Sequence, residues 1–142
     1  MSDVIPARGI LLAHGSMAEG IVDAVRHITG AGPEVLMPLS NRGLSADSLA
    51  DEVRSRLGPG PTLLFTDLQS GSCGFAARLL ARDVRDVVII SGVNLPLLLE
   101  FVMQRELPID ELVPRLLQKG RAALGCSPAS LEHLADRAAP RG

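Results

Sequence analysis

At 142 residues the chain has the length of one ordinary domain and is long enough to bury a real core. Hydrophobic residues make up 46% and aromatics only 2%, with no Trp or Tyr, so the core must come from Leu, Val, Ile and Ala, and recognition of nucleic acid by base stacking is disfavoured. A formal charge of −2 offers no basic footprint for phosphate backbones or anionic lipid, which leaves proteins and small molecules as the expected partners and no nucleic acid.

The segment Met1 to Arg8 is polar and contains Pro6, so it lacks a secretory apolar core. No later stretch reaches the length of a membrane span, and a cytoplasmic location is expected. Cys73 and Cys126 are too few for a disulfide framework and lack CxxC spacing, consistent with reduced thiols.

Short apolar runs alternate with amphipathic segments along the chain, the pattern of βαβ units and a mostly parallel sheet. Ile10, Leu11, Leu12 and Ala13 form the first predicted strand, and it breaks at His14, Gly15 and Ser16 into a helix. Ser16 and Glu19 have the S-x-x-E spacing of a capping box, and Ile21, Val22, Val25 and Ile28 fall on one helical face that Gly30 and Gly32 terminate. A second strand is expected over Glu34 to Leu39. The loop Ser40, Asn41, Arg42, Gly43 then leads to a helix capped near Ser45, with Leu49, Val53 and Leu57 inward and Gly58-Pro59 as its stop.

Thr62 to Thr66 is the third predicted strand, with Asp67 at its carboxyl end and Gln69, Ser70, Gly71 and Ser72 turning into a third helix. Val87, Val88, Ile89 and Ile90 are continuous and β-branched, as expected of a strand covered on both faces. Asn94 and Pro96 start a helix that runs to about Arg105. Another carries Leu112, Val113, Leu116 and Leu117 inward, and Pro114 falls in or near its first turn, where it should shift or bend the start. Ser127 and Pro128 form an N-cap and N1 pair for a short helix containing Leu131 and Leu134, and Ala138 to Gly142 reads as a frayed tail. The expected fold class is a single-domain α/β open sheet of about four mostly parallel strands, with helices on both faces and a possible antiparallel edge strand. The expected organisation is a polar segment over residues 1–8, a domain over 9–124 and an extension over 125–142.

His14, Asp67 and the Ser91 to Asn94 turn all fall at the carboxyl ends of predicted parallel strands, the edge where open α/β sheets gather ligands. A carboxylate accepting from the Nδ1 of an imidazole fixes its tautomer and leaves Nε2 as the nucleophile, a task that suits Asp67 and His14. Ser72 and the amides of a helix start can hold an anion on that histidine.

The run Ala13-His14-Gly15-Ser16-Met17-Ala18-Glu19-Gly20 resembles the phosphoryl-accepting segment of mannose-class IIA proteins of the bacterial sugar phosphotransferase system. Thr66 to Ser72 is similar to that family's aspartate and glycine-serine loop. Ser91-Gly92-Val93-Asn94-Leu95-Pro96 matches its Gly-Val-Asn-hydrophobic-Pro segment, and Asp110-Glu111-Leu112-Val113 fits the following helix. The similarity covers roughly residues 9–124, with the landmarks in order.

The resemblance implies that His14 takes a phosphoryl group from phospho-HPr and passes it to a IIB partner. It also implies that Asp67 orients His14 and raises its basicity, and that Ser72 and Gly71 hold the phosphoryl oxygens, with Asn94 and Pro96 structural or partner-facing nearby. Contact with a IIC/IID membrane permease would run through IIB, and a homodimer is expected. No metal, nucleotide or other cofactor is required, because a phosphohistidine is already a high-energy donor.

The chain departs from the family at Ser70-Gly71-Ser72-Cys73-Gly74-Phe75, where a second glycine and a Ser-Pro pair are usual. Loss of the proline and gain of Gly74 predict a looser first helical turn. Family dimers exchange an edge strand, but Gly125 to Ser130 is weak strand material, so the helix from Ser127 would take that edge instead. Plainer roles also exist. Asp67 could cap the turn into the third helix, Ser72 could be its N-cap, and Cys73 could be a small filler or a helix-start thiol of lowered pKa. His27 pairs naturally with Asp23 in solvent, and His133 has no evident partner.

Two functions compete with the phosphocarrier. One is a regulatory protein that keeps a phosphorylatable His14 but controls a kinase or transcription factor. The other is a Ser/His/Asp hydrolase, against which the absent G-x-S-x-G spacing argues. The related phosphotransfer unit of dihydroxyacetone kinases fits the motifs less well.

Overall fold

A computed structural model describes residues 4–132. Four strands form one sheet: β1 (Arg8–Ala13), β2 (Leu36–Ser40), β3 (Thr62–Thr66) and β4 (Val87–Ser91), in the order β2-β1-β3-β4. All three pairings are parallel, and among the described residues there is no antiparallel edge strand. Parallel neighbours need long crossovers, and each is a helix: α1 (Met17–Thr29), α2 (Ala46–Arg54) and α3 (Gly71–Asp83). After β4 come α4 (Leu95–Gln104) and α5 (Ile109–Ala122).

The side-chain alternation of β1 supplies both layers of core. Leu11 and Ala13 face α1, α4 and α5, whereas Ile10 and Leu12 face α2 and α3. Phe65 and Phe101 meet edge to face with ring centroids 5.1 Å apart. Gly9 leaves room for them, since a Cβ there would stand 2.8 Å from Phe65 and 2.9 Å from Phe101.

Several details differ from the sequence expectation for identifiable reasons. The strand rich in β-branched residues, β4, packs into both core layers as expected, Val88 and Ile90 on one face and Val87 and Ile89 on the other, but it is an edge strand and only Ile90 is fully buried. The stripe of α1 is Ala18, Val22 and Val25, while Ile28 is 61% exposed. No capping box forms at Ser16, whose φ of −94° and ψ of 6° lie outside the extended conformation that aims a cap hydroxyl at the helix. Ser45 is extended, and its hydroxyl does accept from the Ser48 amide. Pro114 lies in the second turn of α5, which begins at Ile109 after Pro108, so it does not set the start. Of the expected helix from Ser127, residues 130–132 are helical. Leu134, His133 and the tail lie outside the described residues.

Candidate functional site

The order of strands places the site. From β1 the chain crosses to β2 on one side, whereas β3 returns to the other side of β1, so the loops after β1 and β3 diverge and leave a crevice at their carboxyl ends. Leu12 is in register with Thr66, which sets His14 and Asp67 just beyond neighbouring strand ends. The amide of Asp67 donates to the Leu12 carbonyl at 3.3 Å, continuing the ladder into the site.

One carboxylate oxygen of Asp67 serves His14 twice. Oδ2 accepts from the His14 backbone amide at 2.9 Å and lies 2.8 Å from Nδ1. Oδ1 accepts from the Leu68 amide at 2.9 Å. Burial pushes the Asp67 carboxyl up, but the His14 backbone and side-chain hydrogen bonds, the His14 charge and the Leu68 amide together hold it below its ordinary value. An ionised carboxylate only accepts, so Nδ1 must carry the hydrogen and Nε2 is the remaining basic edge of the neutral ring. The Asp67 side chain is 7% exposed and that of His14 43%, so the anchor is buried while the ring reaches solvent.

Gly71 opens the approach to that edge. Its φ of +85° is a left-handed conformation that glycine adopts without strain, and a Cβ there would stand 3.4 Å from both Cε1 and Nε2 of His14. Ser70 occupies the N-cap position of α3, so Ser72 is the second helical residue and not the cap. Asp67 does not cap α3 either, as its carboxylate is spent on His14 and Leu68. Gly74 tightens this turn where a looser one was expected: a Cβ on it would collide with the Gln69 carbonyl, so only glycine permits α3 to lie so close to the loop.

Cys73 is fully buried with Sγ 4.0 Å from His14 Nδ1. Desolvation, with the Asp67 charge adding to it and the Ser72 hydroxyl opposing, pushes the thiol up to about 11, the reverse of an activated helix-start cysteine. It is therefore a filler. His14, Asp67 and Cys73 place donor atoms within 4.8 Å of one another. They fit a cation poorly, because Nδ1 and Oδ2 already share a direct 2.8 Å bond and the thiol strongly resists ionisation.

Asn94 lies on the same sheet edge but does not join His14. Its Oδ1 accepts from the Leu97 amide at 3.1 Å and its Nδ2 donates to the Gly120 carbonyl at 2.9 Å, so both polar ends are used to cap α4 and tie it to α5, with Pro96 in the first turn. His27 is exposed beside Asp23, as expected. The residue missed from sequence is Asn41, directly after β2. Its Oδ1 accepts from the Gly15 amide at 3.3 Å and its Nδ2 donates to Ser72 Oγ at 3.1 Å. Its position after a strand, like those of His14 and Asp67, was the available signal.

Taken together, fold and site define a parallel α/β domain that presents a carboxylate-anchored histidine at its switch point. The profile of the EIIA-man family, described as PTS system fructose IIA component, matches residues 9–116, and the chain belongs to this family. It is a phosphotransferase-system IIA component, a class whose general partners are HPr and IIB proteins.

Among solved structures, the chain is similar to the phosphotransferase system component EIIA from Streptococcus agalactiae, with TM-score 0.78 and 23% identity over 84% of this chain and 96% of that one. The mannose/sorbose specific IIA subunit from Enterococcus faecalis gives 0.75 and 23% over 86% and 95%. A sigma-54 interaction domain protein from the same organism gives 0.67 and 15% over 95% and 97%. At these identities the likeness is one of fold. No curated protein matches the chain. No helix among the described residues is long and apolar enough to cross a membrane.

Proposed function

We propose that the protein is a phosphocarrier that accepts a phosphoryl group from phospho-HPr on Nε2 of His14 and passes it to a IIB partner in the cytoplasm. The observation that carries this reading is the 2.8 Å contact between Asp67 Oδ2 and His14 Nδ1, with the opposite ring edge open over Gly71. In the transfer, the Nε2 lone pair forms the new P–N bond as the P–N bond of the donor breaks and its electron pair returns to the donor imidazole. Nδ1 keeps its hydrogen. The positive charge that develops on the His14 ring faces the Asp67 carboxylate, which stabilises the phosphorylated state.

The α3 amino terminus contributes amides and the Ser72 hydroxyl to the phosphoryl oxygens. A hydrolase is less well supported, because the Ser72 hydroxyl is engaged by Asn41 and no hydrogen bond joins it to His14 among the described residues.

Incubation with phosphoenolpyruvate, enzyme I and HPr, followed by intact mass, tests the proposal. One acid-labile phosphoryl group is expected on the native chain and none on His14→Ala. An unmodified native chain beside fully phosphorylated HPr would overturn it. The sigma-54 interaction domain protein of similar fold favours keeping a second reading, in which phospho-His14 is a regulatory signal. Discharge of the phosphorylated chain by a IIB protein separates transfer from signalling.

A further inference from the structure

Three separate segments meet at Asn41. Besides its bonds to Gly15 and Ser72, its backbone amide donates to the Ala13 carbonyl at 3.3 Å. The adjacent Ser40 hydroxyl donates to the Gly15 carbonyl at 2.8 Å. The end of β2 thus grips the turn that carries His14 from both of its polar sides and reaches across to the first turn of α3.

The orientation of the Asn41 amide is fixed by its neighbours. The Gly15 amide can only donate, so it must meet Oδ1, and Nδ2 is thereby turned toward Ser72. This decides what Ser72 can do. A hydroxyl has one hydrogen and two lone pairs, and Nδ2 donates into one of those pairs. The hydroxyl hydrogen is not used in that bond, which leaves it to be donated to a phosphoryl oxygen.

We propose that Asn41, anchored on the Gly15 amide, is a positioning residue of the transfer, which commits the Ser72 hydroxyl to donate its hydrogen bond to the phosphoryl group. The proposal rests on the phosphocarrier reading above. Asn41 makes no bond to the phosphoryl group and exchanges no proton. Its effect passes through Ser72.

A double-mutant cycle on the full chain tests this, using phospho-HPr as donor. Asn41→Ala and Ser72→Ala should each lower kcat on the order of 10-fold, the worth of one hydrogen bond to a charged group, with KM for phospho-HPr unchanged. The double variant should be no slower than Ser72→Ala alone, because removing Asn41 has nothing left to act through. Multiplication of the two effects, a change confined to KM, or native kcat in Asn41→Ala would each overturn the proposal.

If Asn41→Ala does not fold, Asn41→Asp keeps the acceptor for Gly15 but cannot donate to Ser72. It should be at least as slow as Ser72→Ala, and native kcat in it would be equally fatal. A native chain that phospho-HPr fails to modify defeats the phosphocarrier reading and this inference with it. A native chain that is modified at the same rate as Asn41→Ala defeats only the inference.

Discussion

At Asp67 the carboxylate stabilises the fold and orients the base at once, so one substitution separates two effects. Asp67→Asn keeps the shape but can turn an N–H toward Nδ1, which removes the fixed tautomer. Its phosphorylation rate should fall by roughly 10–100-fold, by analogy with the loss of a carboxylate that orients a metal-binding histidine, measured as mass gain against time with phospho-HPr. Stability should change with a definite sign. The folded carboxyl titrates below its ordinary value of 3.8, so its stabilisation is fully present above that value and is lost as pH falls through the folded pKa. Melting temperatures of the native chain and Asp67→Asn should therefore differ most at neutral pH and converge below about pH 4.

Within elements, local backbone geometry decides which polar residues do the work their spacing suggests. Ser16 and Ser45 both precede helices, but only Ser45 has the extended backbone that lets its hydroxyl reach back to the helix. The tight turn in which the Met17 amide donates to the His14 carbonyl holds Ser16 away from that conformation. In α3 the first turn depends on Gly74, buried against the Gln69 carbonyl. Alanine in place of a helical glycine normally stabilises by up to about 1 kcal/mol. Here Gly74→Ala should instead destabilise by about 1–3 kcal/mol, the usual cost of overpacking, and it should slow phosphorylation because the displaced loop carries Asp67. Chemical denaturation and the same transfer assay check both.

On the scale of the whole molecule, the turns and helix starts that bring His14, Asp67 and Ser72 together also expose Met17, Leu68 and Phe75, at 43%, 53% and 49%. In the proposed transfer the phosphoryl donor would approach over these apolar side chains. Phe75→Glu should raise KM for phospho-HPr by on the order of 10-fold, about the 1.4 kcal/mol expected for removing one moderately important interface side chain. The maximal rate and the melting temperature should stay near native. Stopped-flow transfer at several donor concentrations distinguishes this from a folding defect.

The alternation of apolar runs with amphipathic segments determined the α/β class, and the spacing of Leu49 and Val53 or of Leu112 and Leu116 identified inward stripes, because periodicity is a local property of the chain. The pairing of His14 with Asp67 was legible for a related reason: each closes a predicted parallel strand, and such strands end on one edge. Strand order was not legible. The residues Val87 to Ile90 have the composition of an inner strand, yet β4 is at the edge because the crossover after β3 leads outward, and no local pattern encodes which neighbour a strand takes. The same holds for Asn41 and Asn94. Each looks in sequence like a polar residue near a turn, and only the packed fold decides that the first reaches Ser72 while the second is consumed between α4 and α5. A side chain's partners across tens of residues are set by how the layers stack, and that information is tertiary.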